Sequence, residues 1–233
     1  MRLILIRHGQ TPNNILSLLD TAVPGPGLTP LGEQQAAALP AALSDEAIDA
    51  LYISNLTRTA QTAEPLAAAR NLVPQVRDGL REISAGDMEL KGDKPSVMSY
   101  MNTLKSWLTG DLSVRMPGAD TGLEVLERFD AVVNEAAATH GNGTVAMISH
   151  GAMIRFWAGH RGANIDWSDP KYYELSNTGI VTLEGTTVDG PARGGWEIES
   201  WQGAPAGGLG GMDFGGPTSE LATSGGASNH DQG

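Results

Sequence analysis

Two short apolar runs in this sequence each end in a His-Gly pair, and this repetition limits the folds that the chain can adopt. The run Leu3-Ile4-Leu5-Ile6 leads into Arg7-His8-Gly9, and the run from Thr144 to Ser149 leads into His150-Gly151. Unbroken runs of β-prone residues are typical of strands that are buried on both faces, as in parallel sheets. If the two strands are neighbours, both imidazoles lie at the carboxyl edge of an open α/β sheet, where ligands bind.

Helical patterns are predicted between the strands. Thr29 fits a helix N-cap with Pro30 at the first helical position, and Thr121-Gly122-Leu123-Glu124 fits a capping box. A further helix is predicted from Asp93 to Leu108, and its methionines fit either core packing or the roof of a pocket. The remaining strands are predicted at Ala50–Ile53, Gln75–Arg77, Gly179–Leu183 and Trp196–Glu199, the last two as a hairpin-like pair.

The composition is that of one acidic domain. The net charge of -12 argues against nucleic acid or an anionic membrane surface as a partner, because both need a basic footprint. No cysteine is present, which excludes disulfides, thiolate zinc sites and thiol nucleophiles. The first apolar run is too short for a signal peptide, and no stretch approaches the length of a membrane span. We therefore expect a cytoplasmic protein.

The end of the chain differs from the rest in composition. Residues 203–233 are rich in glycine and small polar residues, and they contain acidic residues but no lysine or arginine. Such a segment buries too little apolar surface to order itself. We predict a folded domain over residues 1–202 and a flexible Gly-rich acidic tail over 203–233, and leave docking of Leu209, Met212 and Phe214 open.

Three residue types in this pattern point to phosphate chemistry. An arginine beside a neutral histidine suits an anion that the histidine attacks, and Arg7 stands next to His8. Arg58 falls in the first turn of a predicted helix, where an arginine is unfavourable unless an anion is bound. Glu82 lies just beyond a strand end, and of the three acids near this turn it is the one whose position best suits chemistry. The alternatives are a chance loop histidine at position 8, a solvated surface arginine and a solvated loop glutamate.

Taken together, these motifs resemble the histidine phosphatase family, which includes cofactor-dependent phosphoglycerate mutase. Their order and spacing agree with the family over residues 1 to about 185. The motifs are Arg7-His8-Gly9-Gln10-Thr11 with Asn14, Leu28-Thr29-Pro30-Leu31-Gly32, Ser54-x-x-x-Arg58-x-x-Gln61-Thr62-Ala63, Leu80-Arg81-Glu82 and Ser149-His150-Gly151.

The resemblance implies a doubly wound, mostly parallel sheet with helices on both faces. It also implies that His8 is the phosphorylated nucleophile and Glu82 the proton donor. The phosphate site that it implies consists of Arg7, Asn14, Arg58, His150 and Gly151. No metal and no cofactor are expected, because two arginines and a second histidine supply the positive charge that phosphoryl transfer requires. The expected partner is a phosphorylated small molecule, and a homodimer is left open.

The implied activity is metal-independent hydrolysis of a phosphomonoester through phosphohistidine. Two alternatives stay open, a cofactor-dependent phosphoglycerate mutase and a non-catalytic protein that binds phosphorylated ligands. The chain has Gly86-Asp87-Met88-Glu89-Leu90 where family phosphatases often have Gly-Asp-Trp-Glu-Gly, and Ile15-Leu16-Ser17-Leu18-Leu19-Asp20 where phosphoglycerate enzymes often carry an arginine. We therefore predict a pocket mouth that is less cationic and more apolar than a phosphoglycerate site, which disfavours the mutase.

Overall fold

The computed structural model describes residues 1–187, 190 and 192–210, and within them six strands form one mixed sheet in the order β3-β2-β4-β1-β5-β6. Strands β1 to β4 run parallel to one another, while β5 pairs antiparallel with both β1 and β6. The predicted α/β fold and the hairpin-like pair are thereby confirmed. The strands are β1 Arg2–Arg7, β2 Ile48–Ile53, β3 Gln75–Val76, β4 Thr144–Ser149, β5 Ile180–Gly185 and β6 Trp196–Gln202.

Helices cover both faces of this sheet, as the doubly wound arrangement requires. One core lies between the sheet and α2 and α3, and a second, larger core lies between the sheet and α4, α5 and α6. The helices are α1 Pro12–Ile15, α2 Pro30–Ala42, α3 Thr57–Arg70, α4 Lys94–Leu108, α5 Gly122–His140 and α6 Gly151–Arg161. No described helix is long and apolar enough to cross a membrane.

The first strand shows why an uninterrupted apolar run is needed at the centre of the sheet. Leu3 and Leu5 point into the larger core, whereas Ile4 and Ile6 point into the smaller one, since side chains alternate along a strand. All four side chains are fully buried. The strand is therefore covered on both faces, as its sequence predicts.

The predicted helix starts are confirmed by their capping hydrogen bonds. The hydroxyl of Thr29 accepts from the backbone N–H of Gly32, and Thr121 forms the predicted capping box with Glu124. The helix predicted from Asp93 has that residue as its N-cap, and its apolar face packs on the larger core.

The segment that follows β6 lies against α2. The backbone N–H of Ala206 donates to the Thr178 hydroxyl at 3.0 Å, and the amide nitrogen of Gln35 donates to the Leu209 carbonyl at 3.2 Å. Residues 203–210 belong to the segment predicted as a tail, so this first part of it is packed on the domain. Residues 211–233 lie outside the described residues.

Candidate active site

A cleft lies at the carboxyl ends of β1 and β4. Strands β1 and β4 are paired in register, with Arg7 opposite Ser149, so the next residue of each strand, His8 and His150, reaches the same place. The two imidazole rings are 5.2 Å apart between centroids. The lining residues are Arg7, His8, Thr11, Asn14, Leu18, Leu19, Asp20, Thr21, Arg58, Glu82, Tyr100, Gly151 and Ala152.

The structure therefore brings all seven predicted site residues together. Six of them line the cleft, namely Arg7, His8, Asn14, Arg58, Glu82 and Gly151. The seventh, His150, is fully buried and does not belong to the lining. It accepts a hydrogen bond from Arg58, which does.

The imidazole of His8 is held in the form that a nucleophile requires. Its Nδ1 lies 2.7 Å from the carbonyl oxygen of Gly9, and because a carbonyl only accepts, Nδ1 carries the proton. The lone pair is therefore on Nε2. Burial and the positive charges of Arg58 and Arg7 hold the pKa of His8 well below its ordinary value of 6.5. The ring is neutral, and its free nitrogen is available for attack.

The backbone beside His8 is fixed by a close approach of two glycines. The N–H of Gly9 donates to the hydroxyl of Thr62 at 2.9 Å, which ties the loop to α3. A Cβ atom at Gly9 would lie 2.6 Å from the carbonyl oxygen of Gly32, at the start of α2. A larger residue at position 9 would push the loop away from α2. This contact explains why the motif ending in Gly32 accompanies the Arg-His-Gly motif.

Arg58 is 2% exposed, so it is not the solvated surface arginine of the alternative interpretation. Its Nε donates to Nδ1 of His150 at 3.3 Å and its Nη2 donates to the carbonyl of Asp20 at 2.9 Å. The Nη1 atom lies 3.6 Å from the Asp20 carboxylate and has no hydrogen-bond partner among the described residues. The Nη1 nitrogen is thus buried without a hydrogen bond, and a Cβ atom at Gly25 would lie 2.6 Å from it.

Both ring nitrogens of His150 are engaged. Because Arg58 only donates, Nδ1 accepts, and the ring proton lies on Nε2, which donates to the Ser54 hydroxyl at 2.8 Å. Burial, followed by the charge of Arg58, lowers the pKa of His150 well below 6.5. The Ser-x-x-x-Arg spacing of the motif therefore places Ser54 and Arg58 on the two nitrogens of one imidazole.

Asn14 presents a donor to the cleft. Its side-chain oxygen accepts from the backbone N–H of Thr11 at 3.0 Å and from the side-chain amide of Asn177 at 3.1 Å. The remaining polar group is the amide nitrogen of Asn14, which is free to donate to an anion. Asn177 also donates to the carbonyl of His8 at 3.0 Å, so it joins the two motif residues.

The start of α6 packs closely against Arg7. The Arg7 side chain is buried and its Nη1 donates to the Leu175 carbonyl at 2.7 Å. A Cβ atom at Gly151 would lie 3.0 Å from the Nε of Arg7, which is a tight contact. Glycine after His150 thus allows the guanidinium and the helix N-terminus to share one wall of the cleft.

Glu82 is not a solvated loop residue, because three backbone N–H groups point at its carboxylate. Oε1 accepts from Ile83 at 2.9 Å and from Met153 at 2.9 Å, and Oε2 accepts from Ala152 at 3.2 Å. Two of these donors belong to the first turn of α6, where free N–H groups and the helix dipole complement a negative charge. The carboxylate is therefore held in one position at the cleft, and the alternative of a solvated loop glutamate does not apply.

Sequence reasoning missed three residues whose hydrogen bonds fix segments that line the cleft. Nη1 of Arg128 on α5 donates to the carbonyls of Gly79 and Arg81 at 2.6 and 2.8 Å, and its Nη2 donates to the carbonyl of Glu82 at 3.0 Å. Burial lowers the pKa of Arg128 to about 10, so it remains a cation at neutral pH.

The second is Glu89, which contacts the loop that contains the lining residue Thr21. Its carboxylate accepts from the backbone N–H groups of Thr21 and Ala22 at 2.8 and 3.0 Å. Neither residue carries a local sequence signal for these bonds, since their partners come from distant loops. Asn177 was also missed. The signal available for it was a polar residue shortly before the strand that pairs with β1.

Comparisons with known proteins agree with this geometry. A family model described as the histidine phosphatase superfamily (branch 1) matches residues 3–202. A PE-PGRS family protein, PE_PGRS11 of Mycobacterium tuberculosis, is 37% identical over 220 residues, which cover 87% of this chain but 36% of that protein. The chain thus corresponds to little more than a third of that relative. Phosphoserine phosphatase 1 of Hydrogenobacter thermophilus is 30% identical over 159 residues, which cover 66% of this chain and 73% of that protein.

Solved structures show the same fold. A mycobacterial glucosyl-3-phosphoglycerate phosphatase in complex with VO3 superposes with a TM-score of 0.68 at 23% identity, and the match covers 87% of this chain and 99% of that one. At this level of identity the likeness establishes the architecture alone.

Proposed function

Since the chain belongs to branch 1 of the histidine phosphatase superfamily, we propose that it hydrolyses phosphomonoesters through a phosphohistidine on His8. One observation carries the proposal. His8 is neutral, its Nδ1–H is fixed on the Gly9 carbonyl, and its free Nε2 lies in a cleft that contains two arginines. A nucleophile and the positive charge for a transferring phosphoryl group are thus in one place.

In the first step, Nε2 of His8 attacks phosphorus. A P–N bond forms as the ester P–O bond breaks, and the electron pair of that bond leaves with the alcohol oxygen. Protonated Glu82 supplies a proton to this oxygen, so a neutral alcohol departs and Glu82 becomes a carboxylate. The bonds from Ile83, Met153 and Ala152 then stabilise the new negative charge.

In the second step, water attacks the phosphorus of phosphohistidine. The Glu82 carboxylate accepts a proton from the water as the P–O bond forms and the P–N bond breaks. The electron pair of the P–N bond returns to Nε2. Inorganic phosphate leaves, and Glu82 is again protonated for the next cycle.

The remaining residues of the site bind the phosphoryl oxygens in this proposal. Arg7, Arg58 and Asn14 all line the cleft, and their guanidinium groups and amide nitrogen supply the donors. Neutral His150 carries its ring proton on Nε2, so it donates to the phosphoryl group either when Nε2–H leaves the Ser54 hydroxyl or when Nδ1 gains a proton in place of its bond from Arg58. The two negative charges of an arriving phosphate favour that protonation, which burial and Arg58 oppose.

The test is phosphate release from a panel of phosphorylated metabolites and an aryl phosphate, measured in chelator for wild type, His8→Ala and a control, His140→Ala. His140 lies at the end of α5 against Tyr52. We expect His8→Ala to lose at least about 10⁴-fold in turnover and the control to keep it. Acid-labile, base-stable labelling of wild type during turnover is expected to disappear in His8→Ala.

Retained turnover in His8→Ala would contradict the proposal. The panel includes 3-phosphoglycerate with bisphosphoglycerate, because isomer formation faster than phosphate release would instead support the mutase. Phosphate binding without turnover of any substrate would support the non-catalytic alternative.

A further inference from the structure

Apolar side chains stand exposed beside the cleft. Ile15, Leu16 and Leu90 are 46%, 63% and 56% exposed, and Leu18 lines the cleft next to them in sequence. We call these four residues the apolar rim. Single exposed leucines are ordinary on protein surfaces, but a contiguous group of large apolar side chains beside a cleft is typical of a binding site.

The rim is one continuous structure although it comes from two loops. The N–H of Leu90 donates to the Leu19 carbonyl at 2.7 Å, and the N–H of Leu19 donates to the Lys91 carbonyl at 2.9 Å. A Cβ atom at Gly92 would lie 2.9 Å from the Ser17 carbonyl, so the loops are in direct contact. Since Leu18 and Leu19 also line the cleft, the rim continues directly from the phosphate site.

Leu90 occupies a backbone position that does not favour leucine. Its φ angle is +57°, in the left-handed region where glycine and asparagine are the common residues. A leucine that is both unfavourable for the backbone and exposed to solvent is not selected by folding alone. We take this as a second, independent sign that the side chain serves the site.

The charges around the cleft disfavour a substrate that carries a second anionic group. Of the described residues that line it, Arg7 and Arg58 are the cationic ones, and Arg58 already faces the Asp20 carboxylate. Lys91 and Lys94 are exposed and do not belong to the lining. A phosphate in the cleft would use both arginines, so a carboxylate on the same substrate would meet Asp20 and apolar side chains.

We propose that the apolar rim binds the alcohol part of the substrate, and that the preferred substrates are phosphomonoesters of apolar alcohols, with an alkyl or aryl group next to the phosphate. The proposal rests on the proposed phosphatase activity. The phosphoryl group lies on the floor of the cleft, and the hydrocarbon extends along Leu18 and Leu19 to Leu16 and Leu90.

The experiment is a series of n-alkyl phosphates from ethyl to octyl, kept below their micellar concentrations. We expect kcat/KM to rise about two- to fourfold for each added CH₂ while the chain still contacts the rim. The double variant Leu16→Ser/Leu90→Asn removes the outer apolar contacts and keeps those of Leu18 and Leu19, and asparagine suits the left-handed backbone at position 90. We expect this variant to lose the rise in kcat/KM for the longer esters, which reach positions 16 and 90, while its hydrolysis of ethyl phosphate shows that the site is folded.

The matched control is Val73→Ser. Val73 is 85% exposed but lies just before the amino end of β3, at the opposite edge of the sheet from the cleft. This variant is expected to keep the wild-type dependence on chain length. A flat series in wild type, or an unchanged series in the double variant, overturns the inference while ethyl phosphate hydrolysis leaves the phosphatase proposal intact. No hydrolysis of any ester by wild type overturns both.

Discussion

Two buried arginine–aspartate pairs, one between helices and one at the cleft, differ in how fully they are satisfied. Arg161 on α6 bonds Asp130 on α5 through both Nε, at 3.2 Å, and Nη2, and its other donors reach the carbonyls of Gly190 and Ala192. Arg58 is equally buried, with 2% of its surface exposed. Its Nη1 lies 3.6 Å from Asp20 without a hydrogen bond.

The difference separates a pair whose hydrogen bonds are complete from a pair whose arginine lines the cleft, where we propose that it binds the phosphoryl group. A buried charge is tolerated when its hydrogen bonds are complete, and breaking such a pair leaves its partner unpaired in the interior. An incomplete pair contributes less to stability, so losing it affects the fold less. Stability and function are therefore expected to respond in opposite ways to the same substitution at the two sites.

The largest expected effect is on the stability of the helix pair. Arg161→Met leaves the Asp130 carboxylate buried with the indole N–H of Trp157, at 2.8 Å, as its remaining donor. We expect the free energy of unfolding in urea to fall by about 3–5 kcal/mol. Turnover at temperatures where the variant is folded is expected to stay at the wild-type level. A loss below about 1 kcal/mol would show that the two pairs do not differ in this way.

The matched substitution at the cleft, Arg58→Met, is expected to act on chemistry. Losing one donor to the transferring phosphoryl group costs about 10²- to 10³-fold in kcat/KM. The free energy of unfolding should fall by less than half the value for Arg161→Met, because the pair it breaks is longer and incomplete. Phosphate at about 100 times its Kd should stabilise wild type by about 2.7 kcal/mol, with most of this lost in Arg58→Met.

The proposed difference between the two pairs is contradicted if Arg58→Met destabilises the protein as much as Arg161→Met and leaves kcat/KM unchanged. The two variants are best measured together, since the same side chain is introduced in both. Stability is followed by circular dichroism in phosphate-free buffer and activity with a single small ester.

The smallest expected effect concerns pH. The charge of Arg58 contributes to lowering the pKa of both His8 and His150, after burial. Above pH 6.5 both rings are neutral in the folded and the unfolded chain. As the pH falls below 6.5 the unfolded chain binds protons that the folded chain does not, so stability is lost by about 1.4 kcal/mol per pH unit for each histidine.

Urea unfolding of wild type and His8→Asn between pH 7.5 and 5.5 checks this expectation. In the variant, the free energy of unfolding is expected to fall less steeply below pH 6.5, because position 8 no longer binds a proton in the unfolded chain. Parallel pH curves for the two proteins would contradict the lowered pKa of His8.

The fold and the centre of the site were readable from sequence because their signals are local. The apolar runs before His8 and His150 predicted two central strands, and capping residues such as Thr29 marked helix starts. The pairing of Arg58 with Asp20 was not readable, since it depends on the path of the loop between α1 and α2. Arg128 was missed for a similar reason. Its hydrogen bonds reach carbonyls, which every residue has, so the sequence near it carries no sign of its partners.

The role predicted for His150 shows a further limit of motif reasoning. The motif places the ring at the site, but the position of its proton depends on Ser54 and Arg58, which come from another strand and helix. Direct donation to a phosphoryl oxygen stays a prediction, and it requires one of the two changes in hydrogen bonding described above.

The in-register pairing of β1 with β4 also has a consequence for how the protein reaches activity. His8 and His150 meet only when β1 and β4, which lie far apart in the sequence, have paired. Contacts of such long sequence separation form slowly because a long loop must first close. Nascent chains that end before β4 contain the first histidine but no site. Recovery of turnover during refolding therefore reports on completion of the central sheet, and helix formation seen by circular dichroism is expected to precede it.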